Sequence, residues 1–333
     1  MSSRVGPKLS GPPGSKSPAR THDVLILGGS YSGMSALLTL LSLKDGQKIP
    51  LASYGDFSHL KEAPLIATVK ITLLDKRDGF CRLHPLELRS NCFMLVSANR
   101  CGNLVHTVGL PLASISAEHA NQMWIRYSEF SSLKRQDVRI VQGTALDIDT
   151  DSREVLYMNQ EGKQQALNFD YLILATGICR QWPVASGATE KSAFLEGVSK
   201  YTEDIRAAQD QGVAVIGGGA VGVEFSGKIK ALYPEAQVTL IHSGNTLLSK
   251  EALPREFKSR VLELLQLQGV DILLGERATV TTAEDKGLLV KLNSGSCMSV
   301  GFVIWAALKR SPSTQFLPRS LLNDDGSIKI DPQ

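Results

Sequence analysis

The stretch VAVIGGGAVG, Val213–Gly222, decides the fold. Four apolar residues of strand length run into a glycine turn, and an apolar segment of helix length, Val223–Leu232, follows. A further apolar run, VTLIH at Val238–His242, comes next. Strand, glycine turn, helix, strand is a β-α-β unit. Gly217-x-Gly219-x-x-Gly222 is a complete dinucleotide fingerprint. The first glycine makes the tight turn, the second lets the backbone approach a pyrophosphate, and the third lets the helix pack on the strand. The amides at the helix start then face the phosphates.

Working outward, the same pattern stands near the start of the chain. DVLIL (Asp23–Leu27) leads into Gly28-Gly29-Ser30-Tyr31-Ser32-Gly33, an apolar helix-length run Met34–Leu43, and a second strand VKITLL (Val69–Leu74) closed by Asp75. Serine replaces the middle glycine, and its Cβ is expected to crowd a pyrophosphate. Asp75 can hold ribose hydroxyls, but it lies further from the loop than the usual ~20 residues, which implies an insertion at 45–68. A simple strand-end turn is the other reading of Asp75. In the second unit the matching position is His242, with Ser243 beside it. No carboxylate there repels a 2′-phosphate, so NADPH should be accepted as well as NADH. A surface histidine with its own partners is the other reading.

The rest of the pattern fits this duplication. Val138–Asp149 reads as two short strands around Gly143, and 154–159 with 165–169 as a hairpin. YLILA (Tyr171–Ala175) is a buried strand followed by Thr176-Gly177, and GFVIW (Gly301–Trp305) takes its place in the second half. Leu253–Gln268 reads as an amphipathic helix with Leu262, Leu264, Leu265 and Leu267 clustered, leading to a strand at Val270–Leu274. The fold class is therefore α/β, with two Rossmann-like dinucleotide-binding domains and hence two dinucleotides.

Composition agrees. A chain of 333 residues suggests two domains. Hydrophobic content of 43% allows a real core. A net charge of +3 argues against nucleic-acid binding through phosphate contacts and against a disordered polyelectrolyte. The five cysteines, Cys81, Cys92, Cys101, Cys179 and Cys297, form no C-x-x-C or C-x-x-x-x-C pair. They read as free thiols in a reducing compartment, with no metal site. No apolar run reaches the ~18 residues of a membrane span. Residues 1–21, rich in Ser, Gly and Pro, read as a disordered tail without a secretory h-region. Gly11-Pro12-Pro13-Gly14 breaks any presequence helix, so a cytoplasmic location is favoured over a mitochondrial one. Met1-Ser2 lacks the glycine that N-myristoylation requires.

Two glycine loops separated by Ala175-Thr176-Gly177 resemble the pyridine-nucleotide oxidoreductases that bind two dinucleotides. The resemblance is closest to the apoptosis-inducing-factor-like, ferroptosis-suppressor-like branch of fungal type. YLILATG (171–177), VAVIGGGAVG with Val223-Glu224, Tyr233-Pro234-Glu235, VTLIHS (238–243) and Gly269–Leu273 carry it, over roughly His22–Pro332. Tyr54–His59, Lys76–Phe80 and His106–Gly109 look fungal. The resemblance implies an FAD-binding domain at 22–182, an NAD(P)-binding domain at 183–306 inserted into it, and a return segment at 307–333. Cys81–Val105 looks like an insertion. Two departures stand out: Ala306-Ala307-Leu308 replaces a second A-T-G, and the chain ends at Gln333 before the family's second flavin motif. Weak retention of FAD by this chain is the expectation that follows.

The implied activity is an FAD-dependent NAD(P)H oxidoreductase. It would pass hydride from nicotinamide to flavin and on to a quinone-like or other small acceptor. The resemblance places Glu224 near the nicotinamide–flavin junction; its plain reading is a first-turn carboxylate stabilised by the helix dipole. His106 and Thr107 match a stretch beside the flavin ring. Lys76 and Ala145 join the first set of cofactor-binding candidates. Trp182 covers an adenine edge or is a core side chain. Among partners, the resemblance leaves room for a peripheral membrane contact. The rival readings are a truncated, non-catalytic nucleotide-binding relative, and a single-cofactor short-chain-type dehydrogenase, which two fingerprints disfavour.

Overall fold

The computed structural model describes residues 21–47, 68–81, 120–121, 123–179, 187–282, 287–307 and 311–330. The tail 1–20, most of the insertions read at 45–68 and 81–105, and His106, Thr107 and Trp182 lie outside them.

Strand β1 (Thr21–Leu27), helix α1 (Tyr31–Lys44) and strand β2 (Thr68–Asp75) form the first unit. The two strands run parallel, with Val24 beside Ile71 and Leu27 beside Leu74. Their period of two divides the apolar residues between two faces. Val24, Ile26, Ile71 and Leu73 turn to α1 and meet Met34, Leu37 and Leu41. Leu25, Leu27 and Leu74 turn the other way. Full burial of each such side chain stabilises the fold by about 1.5–3 kcal/mol.

Strands β3 (Gly79–Cys81) and β4 (Trp124–Arg126) form a short antiparallel ribbon. Next come β5 (Val138–Asp149), β6 (Glu154–Asn159), β7 (Gln164–Asn168) and β8 (Tyr171–Leu174). The sheet order is β7-β6-β5-β2-β1-β8. The two short strands expected around Gly143 are one strand, bent by a register shift between Ala145 and Asp147. Gly143 is needed for closeness rather than as a break: a Cβ there would meet the Tyr157 ring at 2.5 Å and the Met158 carbonyl at 2.8 Å. Ile148, Val155, Tyr157 and Leu167 cover Leu25 and Leu27 on the face away from α1.

The far end of α1 is tied to the start of β5. Lys44 Nζ meets Asp137 Oδ2 at 2.5 Å, and the Arg135 guanidinium forks onto both Asp45 and Asp137 at 2.6–2.9 Å.

After the short strand β9 (Ile178–Cys179) and helix α2 (Lys191–Ala207) comes the second unit. It holds β10 (Val213–Ile216), α3 (Ala220–Leu232), β11 (Val238–His242), α4 (Arg255–Leu267) and β12 (Val270–Leu274). An antiparallel trio follows, β13 (Ala278–Thr282), β14 (Leu288–Leu292) and β15 (Cys297–Val300), then β16 (Phe302–Trp305). The parallel sheet is ordered β12-β11-β10-β16. The first sheet contains the same arrangement as β5-β2-β1-β8, so the sequence repeat is a repeat of topology. Val213, Val215, Val238 and Leu240 face the helices. Ala214, Ile216 and Ile241 face Val290, Leu292 and Val300 of the antiparallel trio.

The leucine cluster expected on α4 splits. Leu265 is buried and Leu262 packs against the core, while Leu264 and Leu267 are exposed. Neighbouring helix residues stand about 100° apart, so adjacent leucines cannot share one face. Helix α2 was not anticipated, although Phe194, Val198, Tyr201 and Ile205 give it a helical period. The chain finally returns to the first fold, where β17 (Ser311–Pro312) pairs with β9 and Leu317 joins the core beside Leu25.

Candidate functional site

Each glycine loop lies between the C-terminal end of a parallel strand and a helix. In the first, Gly28 has φ +95°, and a Cβ there would meet the Ala175 carbonyl oxygen at 2.5 Å. A Cβ on Gly33 would collide with the Gly28 carbonyl oxygen and lie 3.4 Å from the Ala175 methyl. In the second, Gly217 has φ +120°, and a Cβ there would meet the Ala307 nitrogen at 2.7 Å. Gly222 stands to the Gly217 carbonyl and the Ala306 methyl (3.3 Å) as Gly33 does to Gly28 and Ala175. The departure at Ala306-Ala307 therefore keeps the geometry of Ala175-Thr176: alanine is the residue the third glycine packs on.

The middle positions differ from the flanking ones. Ser30 and Gly219 are the residues before the first turns of α1 and α3, both with extended backbone. A Cβ at Gly219 meets nothing within 4 Å. The fold does not require glycine there, so the open space beside it is available to a ligand. The N–H groups of the first helical turn have no carbonyl of their own helix to bond. Tyr31 is buried under α1, which leaves its backbone and not its ring for a ligand; Ser32 is exposed.

Asp75 ends β2 and is 7% exposed. Its Oδ2 accepts the Gly29 N–H at 2.5 Å, and its Oδ1 accepts the Arg77 N–H at 2.8 Å. It therefore clasps the glycine loop and is more than a strand-end turn. Lys76 is exposed, and its carbonyl takes a 3.4 Å bond from Gln142 Nε2. Ala145 lies on β5 beyond Gln142, the partner of Asp75, and pairs with Tyr157. Thr176 Oγ1 donates to the Ser313 carbonyl at 3.2 Å. The Gly177 carbonyl accepts Ser313 Oγ at 2.8 Å, so the return segment holds this turn.

In the second fold His242 Nδ1 accepts the Gly218 N–H at 3.1 Å, and Nε2 stands 3.0 Å from Ser249 Oγ. Burial lowers the imidazole's pKa. The preceding residue, Leu248, has φ +53°, an uncommon conformation for a branched side chain, and its N–H donates to the Gly218 carbonyl at 2.8 Å. Both polar groups of Gly218 are thus held, the N–H by the last residue of β11 and the carbonyl by the segment after it. Glu224 lies past the first turn of α3, so the dipole reading does not apply. Burial pushes its carboxyl up to about 7, against a smaller opposing effect of Lys228.

Sequence reasoning missed Tyr127, Leu248, Ser249 and Ser313. None lies in a glycine motif, and only Leu248 carries a backbone signature, which no sequence pattern shows. Among the described residues no group of three or more His, Cys, Asp or Glu side chains is placed to hold a metal. No described helix is long and apolar enough to cross a membrane.

Comparison with known proteins agrees with the duplicated architecture. The family profile described as pyridine nucleotide-disulphide oxidoreductase matches residues 22–333. Oxidoreductase OXR1 of Ajellomyces capsulatus is 35% identical over 334 residues, covering 97% of this chain and 66% of that protein. Ferroptosis suppressor protein 1 of Homo sapiens is 36% identical over 203 residues, covering 60% of this chain and 50% of that protein. The chain thus spans between half and two thirds of these relatives. The water-forming NADH oxidase of Lactobacillus brevis, solved with NADH, shares the fold at a TM-score of 0.59 and 18% identity, covering 92% of this chain and 58% of that one. Its engineered NADPH-bound form gives 0.62 and 17%, covering 93% and 59%.

Proposed function

The chain belongs to the pyridine nucleotide-disulphide oxidoreductase family, and we propose that it is an FAD-dependent NAD(P)H oxidoreductase acting on a quinone-like or other small acceptor. FAD is assigned to the first glycine loop and NAD(P)H to the second. The observation that carries this reading is the duplicated cradle. Gly28, Gly33 and Ala175 repeat as Gly217, Gly222 and Ala306, with clear space beside Gly219. A side-chain-free backbone facing open space at a helix start fits a pyrophosphate.

When bound, the two nucleotides supply the hydride donor and its acceptor. The protein holds and orients them. Asp75 presents a buried carboxylate for ribose hydroxyls, and Thr176-Gly177 is fixed by Ser313. His242 sets the ribose end of the second site with an uncharged acceptor. Glu224, titrating near neutrality, can hold or release a proton at its carboxyl oxygen. The sequence holds no C-x-x-C or C-x-x-x-x-C pair, which supports a small acceptor over a disulfide substrate, and the free thiols Cys179 and Cys297 fit a cytoplasmic location.

The test is anaerobic mixing of the FAD-reconstituted protein with NADH or NADPH, followed by a panel of quinones. NAD(P)H oxidation that depends on added FAD and on a quinone supports the reading. NAD(P)H binding without oxidation under any acceptor would leave a nucleotide-binding protein.

A further inference from the structure

Tyr127 stands behind the first glycine loop. It is 3% exposed, in a single 3₁₀ turn directly after β4. A Cβ on Gly29 would fall on its hydroxyl oxygen, so the phenol reaches the Gly29 backbone. The same Gly29 donates its N–H to Asp75 Oδ2. Burial, and then the charge of the Asp75 carboxylate, push the phenol's pKa up, which keeps it protonated and able to donate to the carboxylate that clasps Gly29. The turn carrying Tyr127 is stapled to the residues after Asp75. Tyr127 N–H donates to the Asp78 carbonyl at 3.0 Å, and the Asp78 carboxylate accepts Trp124 Nε1 at 2.8 Å and Arg126 Nε at 3.2 Å.

We propose that Tyr127 is a positioning residue for the dinucleotide of the first fold. Its hydroxyl holds the Asp75 carboxylate across the glycine loop, in the orientation that receives the adenosine ribose of FAD. The inference rests on the flavin reading above and adds to it a residue that lies in no cofactor motif. Phenylalanine would fill the same space without the donor, so the hydroxyl needs a reason beyond packing. The second fold provides the contrast. A Cβ on Gly218 would meet the His242 side chain and Leu247 Cδ2, with no phenol among its nearest neighbours.

The test uses the whole chain with Tyr127→Phe, Asp75→Asn and the double variant. FAD affinity is measured by fluorescence titration of apoprotein, and folding by circular dichroism and thermal midpoint. Tyr127→Phe is expected to fold with little change in midpoint, to weaken FAD about tenfold, and to leave NADH affinity unchanged. Added to Asp75→Asn it should cost nothing more, because its effect passes through that carboxylate. Unchanged FAD affinity in Tyr127→Phe, or additive losses in the double variant, would overturn the assignment. So would failure of Tyr127→Phe to fold, which would make the hydroxyl a folding element. If the unsubstituted chain takes up no FAD, the flavin reading falls together with the assignment; uptake that ignores Tyr127 removes only the assignment.

Discussion

The backbone N–H of Gly218 donates to Nδ1 of His242 at 3.1 Å, in the place where Gly29 donates to Asp75. An accepting Nδ1 puts the imidazole proton on Nε2, next to Ser249 Oγ. The two folds thus solve one structural problem, anchoring the second residue of the glycine loop, with acceptors of different charge. A carboxylate closes the first loop and a neutral imidazole the second.

That difference sets the first expectation. His242→Glu introduces a negative charge at the ribose end of the second site. The carboxylate can still accept the Gly218 N–H, as Asp75 accepts that of Gly29, so the fold should hold. NADPH binding should weaken by about 1–3 kcal/mol through repulsion of its 2′-phosphate, with NADH little affected. Dissociation constants for both nucleotides check this, and an unmoved ratio would take His242 away from the ribose.

The glycines of the second loop should separate by role. Gly219→Val puts a branched side chain into clear space, so the protein should fold and lose NAD(P)H binding. Gly222→Ala drives a methyl into the Gly217 carbonyl oxygen and should destabilise the fold by about 1–3 kcal/mol. Urea unfolding alongside nucleotide titration distinguishes them. Full NAD(P)H affinity in folded Gly219→Val would contradict the pyrophosphate assignment.

Glu224 gives a pH signature. Its carboxyl is raised by burial to about 7 in the folded chain, above the ordinary 4.5. Its contribution to stability is complete below pH 4.5 and is lost as pH rises through about 7. Glu224→Gln should therefore stabilise the protein above pH 7, by about 1–2 kcal/mol after allowance for solvent screening, and change little near pH 4. Equal gains at both pH values would contradict the buried-carboxyl origin.

The duplicated β-α-β frame was legible in the sequence because strand runs, glycine spacing and helix runs are local. So were Asp75 and His242, each closing a strand. The bend in β5 was not, because Gly143 looks like a break until Tyr157 is seen to press on it. Tyr127 and Ser313 reach the site from distant segments, and only the folded chain brings them to Asp75 and Gly177. The burial of Leu265 beside exposed Leu264 was also hidden, because composition counts leucines without assigning them faces.

At the far end of α1, the bonds from Arg135, reinforced by Lys44, hold the Asp137 carboxyl far below its ordinary range. This contribution is present above pH 3.8 and is lost as pH falls below it. Asp137→Asn should cost about 1–2 kcal/mol at neutral pH, and the deficit should shrink in acid. Urea midpoints across the acid range provide the check, and a deficit independent of pH would contradict it.

The most direct test of the two-nucleotide assignment is anaerobic titration of the FAD-reconstituted chain with NADH and NADPH, read as bleaching of the visible flavin band. One equivalent of NAD(P)H should bleach one equivalent of flavin, and Gly219→Val should retain the flavin band but no longer bleach. A flavin band untouched by excess NAD(P)H, or bleaching that survives Gly219→Val, would contradict it.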